Sequence, residues 1–321
     1  MDDIVVMGSN TVDIYVQADV DLIQISHPSH DDDTLLGYPL GHKVLADDAR
    51  TSVGGSGVNA ATAFQRCGFD TTYLGCLGDD MFGANVLEHI EGEGIAFQGS
   101  LGDTNGIGVI LESQATDRTI LSYKGCNNDL ARDDVPDSLQ PSWFYTSTVM
   151  GETRATMKQL ITSFDDTNTA VNASSYIAKE GIDGLSTVLE ATDYLFVNRE
   201  EARLLTGEKT IIQMLKALTE VVRGQAFITD GENGVYYVNE EPKHMMPQHK
   251  DVVDTSGAGD AFNAGFITAK SQGKPVDEAV KAGMIQSEHI IQGKTTTENL
   301  LDNNTLLSEL NDDTREPTVI R

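Results

Sequence analysis

The sequence runs to 321 residues, 39% of them hydrophobic, enough for one large α/β core with a small accessory layer. Fifty acidic residues against 22 basic ones give a formal charge of −28, which repels nucleic acid and anionic membranes as partners. No apolar run approaches the roughly 18 residues that would suggest a membrane-spanning helix.

Met1-Asp2-Asp3-Ile4-Val5-Val6 enters an apolar strand with no basic flank and no cleavage pattern, so a cytoplasmic location is expected. Cys67, Cys76 and Cys126 are odd in number and form no CxxC pair, and they read as small buried hydrophobes in a reduced cytosol. The acids are dispersed, as in Asp31-Asp32-Asp33, Asp133-Asp134, Asp165-Asp166 and Asp312-Asp313, and do not cluster with histidines. With only twelve lysines, such a surface suits the concentrated salt of a halophile's cytoplasm, where self-repulsion is screened.

In chain order, Ile4–Gly8 reads as a buried strand ending in glycine, and Gly57–Cys67 as a small-residue helix. Thr72–Leu77 is a short strand and Phe82–Ile90 a helix. Trp143–Thr146 and Thr169–Asn172 are strands flanking a helix over Arg154–Phe164. Tyr194–Val197 is a strand followed by a helix at Glu200–Leu205, and Ala226–Thr229 is another strand. Gly257–Lys270 is helical, with Ala261, Phe262, Gly265, Phe266 and Ala269 on one face. The polar stretch from Thr295 is expected to cover the surface. This alternation predicts an α/β fold of three layers, with a central, mostly parallel sheet. Two stretches interrupt it, 13–50 and 106–123, the second reading as a hairpin. They are expected to form a small β lid, and 1–12, 51–105 and 124–321 the core.

Asp254-Thr255-Ser256-Gly257-Ala258-Gly259-Asp260 carries the strongest chemical signal. Small residues at a helix entrance let backbone N–H groups converge on an anion, and the helix N-terminus adds positive potential. An aspartate in the same turn can take a proton from an attacking hydroxyl. Taken alone, the same residues also describe an ordinary glycine-rich helix cap.

This segment resembles the D-T-x-G-A-G-D signature of the ribokinase, or PfkB, family of sugar kinases. The resemblance implies that Asp260 is the general base and that Gly257, Ala258 and Gly259 form the anion hole. It also implies that Asp254 and Thr255 belong to the loop that holds the nucleotide and a monovalent cation such as K+. Ser52-Val53-Gly54-Gly55-Ser56-Gly57-Val58-Asn59 is similar to the family's N-terminal glycine signature. There Gly54 and Gly55 would form a hinge between lid and core, and Asn59 would meet substrate hydroxyls. Gly8-Ser9-Asn10-Thr11-Val12-Asp13 resembles its first strand and turn, whose aspartate, here Asp13, binds sugar hydroxyls. Asn198-Arg199-Glu200-Glu201 fits its N-x-x-E motif, which gives Asn198 to the nucleotide and Glu201 to magnesium indirectly. The same four residues also read as a capped helix start. Thr229, Gly231 and Gly234 fit its T-x-G-x-x-G nucleotide loop, or equally a hairpin turn. Gly75–Gly83 also matches a recurrent segment, read as structural.

The implied reaction is transfer of the ATP γ-phosphoryl group, with Mg2+, to a primary hydroxyl of a sugar or nucleoside, with homodimerisation through the lid. Two rival readings are a kinase for a phosphorylated sugar, needing Arg118 and Lys124 as cations, and a non-catalytic sugar- or nucleotide-binding protein. There is no Walker sequence and no protein-kinase set. His27 and His30 read as exposed loop residues.

The charge makes a direct prediction. Screening shortens the Debye length from about 30 Å at 0.01 M to about 3 Å at 1 M salt. The thermal midpoint should therefore rise between dilute buffer and molar KCl. A midpoint independent of salt contradicts the reading of the acidic surface.

Overall fold

The computed structural model describes residues 2–19, 21–25, 33–112 and 118–320; His27, His30 and the Asp31-Asp32 pair lie outside them. The chain opens with β1 (Asp3–Met7), β2 (Thr11–Gln17), β3 (Asp21–Ile25), β4 (Asp33–Gly37) and β5 (Asp48–Gly54). It continues through α1 (Ser56–Arg66), β6 (Asp70–Gly78), α2 (Met81–Gly92), β7 (Ala96–Gly102), β8 (Ile107–Glu112) and β9 (Arg118–Tyr123). Next come β10 (Trp143–Thr146), α3 (Gly151–Ser163), β11 (Asn168–Asn172), α4 (Ser175–Ala178), α5 (Gly181–Leu189) and β12 (Tyr194–Asn198). After these stand α6 (Arg199–Thr206), α7 (Ile211–Val221), β13 (Gln225–Thr229), β14 (Val235–Asn239) and β15 (Glu241–Met245). The chain ends in α8 (Ala258–Ser271), α9 (Val276–Ile290), α10 (Asn303–Asp312) and β16 (Thr318–Val319).

Ten strands form one sheet in the order β16-β15-β14-β13-β12-β11-β10-β1-β6-β7. From β13 to β7 all neighbours are parallel, and β14, β15 and β16 add an antiparallel edge. The central strands are buried on both faces, which is why they read as unbroken apolar runs. Alternate side chains of β1 and β10 serve opposite layers. Ile4, Val6, Trp143 and Tyr145 pack beneath α1, α8 and α9, while Val5, Met7 and Phe144 pack against α3, α5 and α7. The predicted strand–helix alternation and layering are thus present.

The interrupting stretches form a separate four-stranded sheet, β5-β2-β8-β9, beside the two-stranded pair β3-β4. Neither enters the large sheet. The small sheet also takes in residues assigned to the core, because β2 and β5 pair over their whole length, from Thr11↔Gly54 to Gln17↔Asp48. The stretch after Thr295 is mostly exposed or half-buried, as expected of a surface covering, but it is anchored by buried leucines. Leu306 and Leu310 of α10 are buried in the core beside α9, and β16 extends the large sheet.

Helices α8 and α9 approach closely at two glycines. A methyl on Gly265 would stand 2.5 Å from the Ala282 carbonyl oxygen, and one on Gly283 would stand 2.7 Å from that of Phe262. Gly265→Ala should therefore lower stability by about 1–3 kcal/mol through overpacking. In an open helix the same change would add up to about 1 kcal/mol. A fall in Tm checks the contact, and an unchanged or raised Tm contradicts it.

Candidate active site

The loop after β15 ends in a turn that starts α8. The Asp254 Oδ1 accepts the Ser256 N–H at 2.8 Å, and Gly257 takes the left-handed conformation, φ 77°, as the N-cap. A side chain there would be strained and would press on Thr296. The N–H of Ala261 makes the first bond back into the helix, to the Gly257 carbonyl at 2.9 Å. The amides of Gly259 and Asp260 come before it, at the helix end where N–H groups lack helical partners. Gly259 has open space around its Cα. A helix end with such N–H groups is of the kind that binds anions.

Asp260 lies in the first turn and is only 8% exposed. Burial pushes its carboxyl up to about 7, opposed by hydrogen bonding from Asn59, Asn172 and Tyr145 and supported by the negative charge of Glu201. Asn172, the last residue of β11, places its Nδ2 3.5 Å from Oδ1. Tyr145, wholly buried on β10, receives a bond from Asn263 Nδ2 at 2.9 Å, one turn beyond Asp260. Asn59 of α1 also accepts a bond from Thr296 Oγ1 at 2.9 Å. Asn172, Tyr145 and Asn263 belong to no motif recognised in the sequence. The one available signal was a polar residue closing the apolar strand Thr169–Val171.

Against the start of α8, a cavity of about 700 Å³ is bounded by Thr229, Gly231, Gly234, Thr255, Ala258 and Gly259. Its wall includes Phe262 and Met284, giving an apolar slot that leads to the helix end. Thr229 and Gly231 also line a neighbouring cleft with Asn198, Arg199 and Arg203. The segment from Thr229 to Gly234 does join antiparallel strands, so the hairpin reading and the loop's place on the cavity hold together. Asn198 Oδ1 accepts the Glu201 N–H and Glu201 Oε2 accepts the Asn198 N–H, both at 2.8 Å, a reciprocal cap on α6. Burial raises the Glu201 carboxyl.

The third group lies where the small sheet meets the core. Gly55, φ 94°, turns the chain from β5 into α1 with its Cα against the Asn10 backbone, so only glycine fits. Asp13 on β2 lies between glycines of both neighbouring strands, Gly54 and Gly108, and a methyl on either would collide with its carboxylate. Gly108 escaped the sequence reading because its partner comes from another strand. Burial raises the Asp13 carboxyl, while a bond from Thr11 and the charge of Lys124 act the other way.

Among the described residues no three His, Cys, Asp or Glu side chains gather as a metal cage. Mg2+ commonly keeps water and substrate phosphates as ligands and uses one or two carboxylates, so a single carboxylate such as Glu201, next to Asn198 at the start of α6, is compatible with an ion brought by a nucleotide. Among the described residues no helix is long and apolar enough to cross a membrane.

Comparison with known proteins places this geometry in a lineage. The pfkB family carbohydrate kinase model matches residues 22–303. A ribokinase of Bacillus subtilis is 26% identical over 75% of this chain and 82% of its own length. A deoxyribokinase of Salmonella typhi is 24% identical over 92% of this chain and 94% of its own. Among solved structures, a ribokinase from Thermotoga maritima superposes with a TM-score of 0.81 at 21% identity, covering 98% of this chain and all of that one. A nucleoside kinase from Methanocaldococcus jannaschii gives 0.77 at 17% identity, covering 98% and 99%. With most of its length matched by the family model, the chain belongs to the pfkB family of carbohydrate kinases.

Proposed function

We propose that this protein transfers the γ-phosphoryl group of ATP to a primary hydroxyl of a sugar, with Asp260 as the base. The observation that carries the reading is the union, in one turn, of a buried carboxylate with a raised pKa and the free N–H groups of a helix end, at the mouth of a nucleotide-sized cavity. The base of ATP takes the slot at Phe262 and Met284, and Thr229, Gly231, Gly234, Thr255 and Asn198 hold the rest of the nucleotide. Gly257, Ala258 and Gly259 present amides to the phosphoryl oxygens, where charge develops during transfer. Glu201 and Asn198 would hold Mg2+ indirectly, and the ion would supply neutralisation of phosphate charge. Asp254 and Thr255 remain the proposed place of a K+ ion. Asp13, Gly54 and Asn59 receive the acceptor, with Gly55 as the hinge of a lid formed by 13–50 and 106–123.

A phosphorylated acceptor is less well served. Arg118 is paired with Asp254, and Lys124 lies over the Tyr176 ring with Asp13 as its charged neighbour. The exposed apolar side chains Ile120, Leu121 and Tyr123 on β9 support a dimer contact through the lid. A cytoplasmic location fits such an enzyme.

Assays with D-ribose, 2-deoxy-D-ribose, D-fructose and adenosine, in high salt, test the class: ATP consumption should depend on the acceptor. Asp260→Asn keeps shape but removes proton acceptance, so kcat should fall ~100- to 10,000-fold with KM changed far less. The base works ionised, so activity should be lost as pH falls through about 7. The sign for stability is opposite. A carboxyl whose folded pKa is raised weakens the fold above its unfolded pKa, so Asp260→Asn should raise Tm at pH 8 more than at pH 4. Near-wild-type kcat in this variant contradicts the assignment.

A further inference from the structure

The small sheet is tied to the turn before α8 by an ion pair whose arginine the scheme above leaves unused. Arg118, the first residue of β9, donates from Nη1 to Asp254 Oδ1 at 2.8 Å. The same oxygen accepts the Ser256 N–H at 2.8 Å. One carboxylate oxygen therefore joins the small sheet to the turn that ends in Gly257 and starts α8. The side chains are 27% and 13% exposed, so solvent screens the pair less than it would two free surface charges.

The small sheet is built to pass such a constraint across its width. Arg50 of β5 grips Glu112 of β8 with two bonds of 3.1 and 3.0 Å, and its guanidinium lies 4.2 Å over the Tyr15 ring of β2 between them. β8 and β9 are paired from Ile107↔Tyr123 to Glu112↔Arg118. Arg118 is thus mechanically continuous with β2, which carries Asp13. Lys124, at the other end of β9, is occupied by Tyr176 and Asp13 and does not duplicate it.

We propose that Arg118 is a positioning residue for phosphoryl transfer, clamping the acceptor side of the site onto the phosphoryl-binding turn through Asp254. This rests on reading Asp13 and the α8 turn as the two sides of the reaction. Fixing the two reactants at one separation is where such a clamp contributes to rate.

The test is a double-mutant cycle with Arg118→Gln, Asp254→Asn and their combination, plus Arg118→Lys. Hydrogen–deuterium exchange is read on the full chain with Mg2+ and the non-hydrolysable analogue AMP-PNP. Kinetics use whichever of the four acceptors above turns over fastest. Arg118→Gln should speed exchange of the β9 amides several-fold and lower kcat about tenfold, with the ATP KM little changed. Arg118→Lys should recover part of both, since it restores charge without the guanidinium geometry. Adding Arg118→Gln to Asp254→Asn should change neither readout further. Unchanged exchange or kcat in Arg118→Gln, or effects that multiply in the double variant, would overturn the clamp. Asp260→Asn run alongside separates the claims. Activity surviving there would overturn the transfer reading and the positioning role with it. An inactive Asp260→Asn beside multiplying effects at 118 and 254 would overturn the positioning role alone.

Discussion

Burying Asp260 at the N-terminus of α8 removes a carboxylate from water and surrounds it with amides and a phenol in place of a cation. A lysine or arginine in that place would hold the group ionised and weakly basic. Asn59, Asn172 and Tyr145 only moderate the desolvation, and the negative charge of Glu201 raises the carboxyl further. The outcome is a carboxyl poised near neutrality, where an acid–base group is most effective. Much of the fold can be read as the means of holding that arrangement. The donors come from three elements, α1, β10 and β11, and meet only because β10 and β11 are parallel neighbours under α1 and α8. The close α8–α9 contact at Gly265 and Gly283 then fixes the height of the helix above the sheet.

The second constraint is the join between sheets. Gly55 turns the chain where no side chain fits, so the small sheet leaves the core at a fixed point, and Asp13 is held between two glycines just beyond it. Further along, Arg118 brings the small sheet back to the turn before α8. The small sheet therefore meets the core at two places. Both meetings involve residues that sequence order keeps far apart.

How much of this was legible follows from range. The central strands were readable because burial on both faces makes them continuous apolar runs, and Trp143–Thr146 falls at its predicted bounds. Asp254–Asp260 was readable as a helix entrance because it is one local turn, and the role proposed for it comes from resemblance. Asn263, on α8 itself, enters only through its bond to Tyr145, and Asn172 and Tyr145 were not readable because each looks like an ordinary polar or aromatic residue until the sheet sets it beside Asp260. Gly108 was missed for the same reason. The stretch after Thr295 read as a surface covering from its polarity, and its anchoring was not seen because Leu306 and Leu310 are only two residues, spaced to face inward. At Asn198 and Glu201 the capped helix start is what the structure holds, since each bonds the other's N–H, and of the two only Asn198 lines the cleft beside Thr229 and Gly231.

The central claim is that a neutral nest keeps the Asp260 carboxyl available as a base near pH 7. Carbon-13 NMR on protein labelled at aspartate carboxyls, with Asp260→Asn used to assign the resonance, measures it without reference to any substrate. The account predicts a titration midpoint near 7 for Asp260. A midpoint in the ordinary carboxylate range, near 4, would contradict it.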